Sequence, residues 1–279
     1  MKGFRQRLIE RIRLRLKYMM VKAQYEYLNK LDRQEKQVRL LNYGYKELDS
    51  DAPRLELSPE EEGNRYAIQL YRYVASGADL AGKDVLEVGC GRGGGAAFVM
   101  RHFTPRMMVG IDLWRTSIDF CNSMYDIDGL SYRLGNAEAL PFPDAHFDAV
   151  LNIESSHLYD NIDTFYAEVL RVLRPGGHLL FADFRTKERG AMLTQEFKDA
   201  GFEVVREDII NPNVLAALDE DDERKRKLIL ERLPQRRQEQ FSVFAALKGT
   251  HIYECIKSGD IEYKRYVLRK PVQEISSIT

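Results

Sequence analysis

The sequence predicts an α/β protein built on one doubly wound parallel sheet, with helices on both faces. Between residues 83 and 210, short apolar segments of strand length alternate with longer segments of helical periodicity. A glycine-rich turn separates the first apolar segment from the helix after it. Strands joined through helices pair in parallel, and a glycine turn at this place is typical of a Rossmann-like core.

The predicted elements follow one another regularly. Apolar and β-branched residues predict strands over 84–89, 107–112, 130–134, 147–153, 178–184, 202–209 and 261–269. Helical spacing predicts helices over 94–103, 115–125 and 161–173. We therefore expect residues 61–210 to form the core, and residues 251–279 to supply a final strand and a tail.

A helical lid is predicted before the core, over residues 1–60. Residues 1–22 contain eight Lys and Arg residues and one acid, which gives a local net charge of +7. Five apolar residues recur there at steps of three or four: Phe4, Leu8, Ile12, Leu16 and Met19. A helix of this kind docks on its own domain or on a second subunit, or it lies on an anionic membrane surface. The sequence therefore leaves peripheral membrane contact and a homodimer as alternative interpretations of this segment.

A second addition lies between the last two predicted strands. Residues 211–250 have a helical composition and contain five acids at 219–223, followed by four bases at 224–227. We interpret this charge run as a solvated helix face. Phe241, Phe244 and Leu247 are candidates to line an apolar pocket, although packing within a core explains them equally well.

Composition excludes several classes of protein. The apolar share of 44% and the charged share of 30% are ordinary for a folded soluble chain. The three cysteines, Cys90, Cys121 and Cys255, have neither paired nor metal-ligand spacing, so a disulfide scaffold and a zinc site are not expected. No segment has the ~20 apolar residues of a membrane span. We expect a cytoplasmic protein without a bound metal.

The turn from Glu87 to Gly93 is the first candidate site, and it reads Glu-Val-Gly-Cys-Gly-Arg-Gly. Glycine lets backbone approach a ligand because it has no side chain. Asp112 ends the second predicted strand, 23 positions after Gly89. A carboxylate there accepts hydrogen bonds from the ribose hydroxyls of an adenosine. These residues alone leave open a dinucleotide site, a methyl-donor site, and a tight turn without a function.

Further motifs follow the turn. Residues 135–142 read Gly-Asn-Ala-Glu-Ala-Leu-Pro-Phe, a Phe-Asp pair opens the fourth strand at 147–148, and residues 173–177 read Leu-Arg-Pro-Gly-Gly. In this order and spacing, the stretch 83–184 resembles the class I methyltransferases that use S-adenosylmethionine (SAM). The resemblance implies SAM as cofactor, rather than a nicotinamide dinucleotide.

A narrower resemblance rests on three shorter segments. These are the glycine run 93–95, Asn64-Arg65, and the segment Glu154-Ser155-Ser156-His157. With them the chain is similar to small-molecule O-methyltransferases of lipid and natural-product pathways, including the phthiotriolone type. In such enzymes, additions like 1–60 and 211–250 close over the acceptor.

The resemblance also implies the cofactor-binding residues. They are Glu87, Gly89, Gly91, Gly93, Asp112, Leu113, Asn136, Ala137, Glu138 and Ile153. Position 136 departs from the family, which usually has Asp there to bind the adenine amine. The side-chain carbonyl of Asn136 is able to accept the same bond.

Two residues are candidates for the chemistry. His157 follows the fourth strand and Asp183 ends the fifth, both at the sheet edge where ligands of such folds bind. A histidine titrates near neutral pH and suits removal of a hydroxyl proton, and the resemblance implies His157 as general base with Asp183 nearby. The alternatives are a structural or ligand-binding His157, and an Asp183 that caps a turn or orients His157. For Glu154 we expect either a contact with the cofactor or the acceptor, or a structural hydrogen bond.

We therefore expect methyl transfer to a hydroxyl of a small hydrophobic acceptor, such as a lipid, a polyketide or another secondary metabolite. A carbon or nitrogen methyltransferase and a non-catalytic SAM-binding partner protein remain alternatives. Nucleic acid is not an expected partner, because the excess basic charge is confined to one terminal segment and no base-binding motif follows the fourth strand.

Overall fold

The fold is given by a computed structural model, in which Met19, residues 21–32 and residues 38–272 are described. Phe4, Leu8, Ile12 and Leu16 of the predicted apolar stripe lie outside the described residues. Met19 is exposed.

A seven-stranded sheet forms the centre of the described chain, in the order β3-β2-β1-β4-β5-β7-β6. The strands are β1 Asp84–Val88, β2 Met107–Asp112, β3 Leu130–Leu134, β4 Phe147–Ile153, β5 Leu173–Thr186, β6 Glu203–Ile209 and β7 Ile261–Arg269. Strands β1 to β5 pair in parallel, whereas β7 runs antiparallel between β5 and β6. The doubly wound, Rossmann-like prediction is confirmed.

Helices cover both faces of this sheet. They are α1 over 21–31, α2 Pro59–Glu62, α3 Arg65–Ala75, α4 Gly94–Phe103, α5 Arg115–Met124, α6 Ile162–Val172, α7 Lys187–Ala200, α8 Asn211–Arg232, α9 Gln235–Phe244 and α10 His251–Ser258. Neighbouring residues of β1 point to opposite faces: Val85 packs in a core with α3, α4, α5, α8 and α10, and Leu86 packs in a core with α6 and α7.

The direction of β7 corrects the expectation of an all-parallel sheet. Helix α8 begins directly after β6, and the first residue of β7, Ile261, pairs with Thr186 at the carboxyl end of β5. The chain between β6 and β7 therefore starts and ends at the same edge of the sheet. Because this connection never crosses to the other edge, β7 has to run antiparallel to β5 and β6. The helices of the connection, α8, α9 and α10, remain at the carboxyl edge.

The insert and the N-terminal segment pack against each other at this edge. Ile229 of α8 and Leu233, which directly follows this helix, share a small apolar cluster with Phe241 and Leu247, and Tyr27 and Leu28 of α1 pack against it. The charge run of the insert mostly forms pairs along one helix, such as Asp221 with Arg224. Helix α7 and helix α10, which lies inside the predicted terminal segment 251–279, are additions to the predicted elements.

Candidate functional site

The glycine-rich turn joins β1 to α4 in a left-handed backbone conformation. Gly89 and Gly91 have φ angles of +79° and +53°, values that favour glycine. A Cβ on Gly89 would lie 1.9 Å from Oγ of Ser155, whereas a Cβ on Gly91 would meet nothing within 4 Å. Gly89 is thus required by packing, and Gly91 faces open space that a ligand can occupy.

That open space is a cavity of about 360 Å³ at the carboxyl ends of β1, β2, β3 and β4. Most of the predicted cofactor residues line it: Gly89, Gly91, Asp112, Leu113, Asn136, Ala137 and Glu138. Glu87, Gly93 and Ile153 lie behind the wall instead. Glu87 is buried and accepts a hydrogen bond from the hydroxyl of Tyr71 at 2.6 Å, and burial raises the pKa of its carboxyl to about 7.

Asp112 connects the turn to the end of β2. Its two carboxylate oxygens accept hydrogen bonds from the amides of Gly91 and Trp114, both at 2.9 Å. Burial raises its pKa to about 6, so the carboxylate is ionised at neutral pH. Each oxygen has a further lone pair, which leaves Asp112 able to accept from hydroxyls of a ligand in the cavity.

The opposite wall is a compact turn after β3. The side-chain oxygen of Asn136 accepts from the amide of Glu138 at 3.0 Å, and Glu138 in turn accepts from the amides of Asp160 and Asn161. One lone pair of the Asn136 carbonyl is therefore used within its own turn. The other is available for an amino group of a ligand.

Sequence reasoning missed part of the wall that comes from far away in the chain. Tyr25 of α1 lines the cavity, and its ring centroid lies 4.5 Å from that of Trp114 and 5.9 Å from that of Phe244 on α9. Helix α1 and the insert therefore meet over the cavity. No motif surrounds Tyr25 in the sequence, so no local signal could have identified it.

His157 and Asp183 are brought together after β4 and at the end of β5. Nδ1 of His157 lies 2.8 Å from Oδ1 of Asp183, and the amide of His157 donates to Oδ2 at 3.0 Å. Asp183 is fully buried. An ionised carboxylate can only accept, so Nδ1 carries the proton of this contact, and in a neutral imidazole the lone pair is then on Nε2.

Asp183 stays ionised because of its other neighbours. Burial by itself raises its pKa, but the Arg185 guanidinium, 3.0 Å away, and His157 hold the pKa well below the usual range. Ser156 also donates to Asp183 at 2.7 Å. This carboxylate is therefore a fixed negative charge that would stabilise a protonated His157.

The His157 ring lies beside Phe184, with 4.5 Å between the ring centroids, and Phe184 stacks on Tyr43 at 5.1 Å. His157 itself does not line the cofactor cavity, but Ser155 and Leu158, which are close to it in the chain, do. The imidazole is thus close to the cavity on the side of Tyr43.

Glu154 lies at the same place and has a strained backbone. Its φ angle is +46°, unusual for a residue with a side chain. Its Oε1 accepts from the amide of Tyr43 and from the hydroxyl of Tyr263, both at 2.7 Å. Burial raises the pKa of Glu154 to about 8. This carboxyl lines the cofactor cavity and also holds Tyr43.

A second cavity of about 150 Å³ lies on the other side of Tyr43, between α1, α8 and α9. Its wall is largely apolar and includes Leu28, Leu40, Tyr43, Leu228, Ile229 and Phe244. Lys225 also reaches it, and burial lowers the pKa of this amine. Tyr43 lines the apolar cavity and Glu154 lines the cofactor cavity, and the hydrogen bond from the Tyr43 amide to Glu154 joins the two walls.

Within the part of the chain that the structure describes, no helix is both long and apolar enough to span a membrane. The same residues contain no group of three or more His, Cys, Asp or Glu side chains arranged to hold a metal ion.

Comparison with known proteins agrees with this geometry. Residues 86–181 match a methyltransferase domain family. The chain is 37% identical over 270 residues to a fatty-acid O-methyltransferase of Mycolicibacterium smegmatis, which covers 96% of both proteins. It is 35% identical over 235 residues to a phthiotriol/phenolphthiotriol dimycocerosates methyltransferase of Mycobacterium leprae, covering 84% of this chain and 86% of the relative.

A solved structure shows the same fold at lower identity. The cyclopropane synthase MmaA2 from Mycobacterium tuberculosis superposes with a TM-score of 0.66 at 15% identity, over 85% of this chain and 94% of that one. The glycine turn, Asp112 and the turn after β3 form a cavity suited to SAM, and relatives of nearly full length are methyltransferases. The chain therefore belongs to the class I SAM-dependent methyltransferases and is an enzyme that uses SAM.

Proposed function

We propose that this enzyme transfers the methyl group of SAM to a hydroxyl oxygen of a lipid-like acceptor. The observation that carries the proposal is the apolar cavity beside the cofactor cavity, with Tyr43 on its wall hydrogen-bonded to Glu154 on the wall of the cofactor cavity. An acceptor whose apolar part occupies that cavity would present its polar end to the cofactor. The names of two relatives, a fatty-acid and a phthiotriol dimycocerosates methyltransferase, support a lipid-like acceptor.

We propose the following division of the chain. Residues 61–210 bind SAM, and residues 1–60 with 211–250 close over the acceptor. In support, the apolar cavity is lined almost entirely by α1, the segment 38–43, α8 and α9. Residues 251–279 complete the sheet through β7.

His157 is the proposed general base. SAM supplies a sulfonium whose methyl group is already activated for transfer. With SAM bound, the acceptor oxygen would bond to that methyl carbon as the carbon–sulfur bond breaks onto sulfur, and Nε2 of His157 would take the hydroxyl proton. Asp183 fixes the tautomer of His157 and stabilises the imidazolium, as a buried carboxylate does in other His–Asp pairs.

A carboxylate acceptor is the second candidate. It is favoured by Lys225, whose amine lies 3.4 Å from Asp221 and reaches the apolar cavity, and by the fatty-acid O-methyltransferase relative. A carboxylate is ionised at neutral pH and has no proton to remove. The two candidates therefore differ in whether turnover needs His157.

The deciding experiment measures S-adenosylhomocysteine release with three acceptors: a long-chain alcohol, a fatty acid of the same length, and a short-chain alcohol. We expect turnover of the long-chain alcohol and little of the short one. His157→Ala should lower that turnover by about 10²–10⁴-fold. Release with the fatty acid that is unaffected by His157→Ala would establish the second candidate. No release with any acceptor would refute both.

Membrane contact through residues 1–22 is a further part of the proposal, for a cytoplasmic enzyme with a lipid-like acceptor. It rests on the net charge of +7 in this segment. Removing residues 1–18 leaves α1 in place. It should weaken binding to vesicles that contain anionic lipid, while SAM affinity stays the same. Unchanged vesicle binding, with a dimer that dissociates on truncation, would assign the segment to a homodimer instead.

A further inference from the structure

Arg92 belongs to the glycine-rich turn, but its side chain points away from the cofactor cavity. It is fully buried. Its guanidinium lies 2.6 Å from Oδ2 of Asp32 and donates hydrogen bonds to the side chain of Asn29 and the carbonyl of Val38. The carbon of the guanidinium also lies 3.6 Å from the centre of the Phe120 ring.

The partners of Arg92 belong to the N-terminal segment. Asn29 lies in α1, and Asp32 directly follows this helix. The same helix carries Tyr25 into the cofactor cavity and Leu28 into the apolar cavity. One side chain of the cofactor turn is thus bonded to the helix that forms a wall of both cavities.

The chemistry of this contact favours positioning over stability. An apolar pair of similar size often stabilises a buried contact as well as an ion pair does, because burying charges costs solvation free energy. A guanidinium with several acceptors, in contrast, fixes both distance and direction. The apolar contacts of α1 with α8 and α9 do not fix its register against the cofactor turn in this way.

We infer that Arg92 is a positioning residue that holds α1 against the cofactor turn, so that closure over SAM and formation of the acceptor cavity are coupled. The acceptor half of this inference rests on the proposed function. A SAM molecule that fixes the conformation at Gly91 also fixes the anchor of α1. By linkage, an acceptor that contacts α1 should then tighten SAM binding by the same factor.

The chain contains a single tryptophan, Trp114, and its ring lies against that of Tyr25. Trp114 emission therefore reports directly on the docking of α1. Arg92→Lys keeps the positive charge but loses the planar guanidinium with its several donors. Asp32→Asn keeps the shape of the side chain but loses the negative charge. Arg106→Gln is the matched control, because Arg106 is a largely exposed arginine that pairs with Asp84 at the start of β1.

For Arg92→Lys we expect a red-shifted Trp114 emission, a SAM dissociation constant raised about tenfold, and an acceptor KM raised by a similar factor with kcat within about threefold of wild type. Asp32→Asn should shift all three in the same direction, which keeps the test open if one variant folds poorly. Arg106→Gln should leave them unchanged.

Wild-type emission and SAM affinity in both Arg92→Lys and Asp32→Asn would overturn the inference, even if their melting temperatures fall. These two measurements need no acceptor. They therefore decide on Arg92 independently of the proposed function, which fails separately if wild-type enzyme methylates no lipid-like acceptor.

Discussion

The cofactor cavity and the apolar cavity of this enzyme are built in different ways. The cofactor cavity is formed mainly by residues at the ends of four neighbouring strands and in the turns that follow them. The apolar cavity is formed by α1, the segment 38–43 and two helices of the insert, which lie almost two hundred residues apart in the chain. The first is therefore determined by short motifs, and the second by tertiary packing.

The difference also appears in the electrostatics. In the cofactor cavity, Asp112 is held by amides at 2.9 Å and remains ionised at neutral pH. At the junction with the apolar cavity, the Glu154 carboxyl is protonated near neutral pH because burial raises its pKa to about 8. At neutral pH these two carboxyl groups therefore differ in charge, because Asp112 is ionised and Glu154 is protonated.

The largest expected effect concerns the chemistry at the junction. Asp183→Asn should lower kcat on a hydroxyl acceptor by about 10³-fold, because an amide neither enforces the productive tautomer of His157 nor stabilises its protonated form. SAM affinity, measured by calorimetry, should stay within twofold, since Asp183 lies outside the cofactor cavity. His251→Ala on the exposed side of α10 is the control. Unimpaired kcat in Asp183→Asn would remove Asp183 from the mechanism.

The next effect separates cofactor binding from acceptor binding. Gly91→Val adds a side chain where the backbone is left-handed and where the cavity is open. We expect the SAM dissociation constant to rise about 10²-fold, from backbone strain and lost space together. Calorimetric titration measures the change. SAM affinity equal to wild type would mean that the ligand does not approach Gly91.

A smaller effect is expected from filling the apolar cavity. Ala245→Phe, at a position that lines this cavity, should raise the KM for a long-chain acceptor about tenfold, because it occupies the space of the apolar chain. The SAM dissociation constant should not change, and Ala245→Ser serves as the conservative control. An unchanged KM for the acceptor would place the acceptor elsewhere.

The smallest effect is on stability. Glu154 is protonated in the folded state and ionised in the unfolded state between about pH 5 and 8, because burial raises its folded pKa to about 8. Unfolding therefore releases a proton, and stability falls as pH rises by about 1.4 kcal/mol per pH unit from this group. Denaturant unfolding of Glu154→Gln should lack this slope. An identical pH dependence in both proteins would contradict the raised pKa.

The predictability of the fold and the site follows the same division. Apolar strands and turn motifs are local, so the seven strands and the cavity-lining residues of the turn motifs, including Asp112 and Asn136, could be predicted from the sequence. Helix α7 was missed because its residues are largely polar. The direction of β7 depends on where the preceding helices end, which no local pattern encodes.

The acceptor side could be predicted only in outline. The additions 1–60 and 211–250 are predicted to close over the acceptor, but nothing in their spacing pairs Tyr25 with Phe244 or places Lys225 at a cavity. Such contacts join residues about two hundred positions apart, and apolar residues on two helices have many ways to pack. In the sequence, Arg92 is a residue of the glycine motif with no indicated partner. Its ion pair with Asp32 follows from the three-dimensional structure alone.

The most direct test of methyl transfer to a lipid hydroxyl uses SAM with a 13C-labelled methyl group and a long-chain acceptor that offers hydroxyl and activated carbon positions. The product is examined by carbon NMR after incubation with the wild-type enzyme. We predict that the labelled methyl is bound to oxygen, and that the signal is lost in His157→Ala. A labelled methyl bound to carbon would contradict the account.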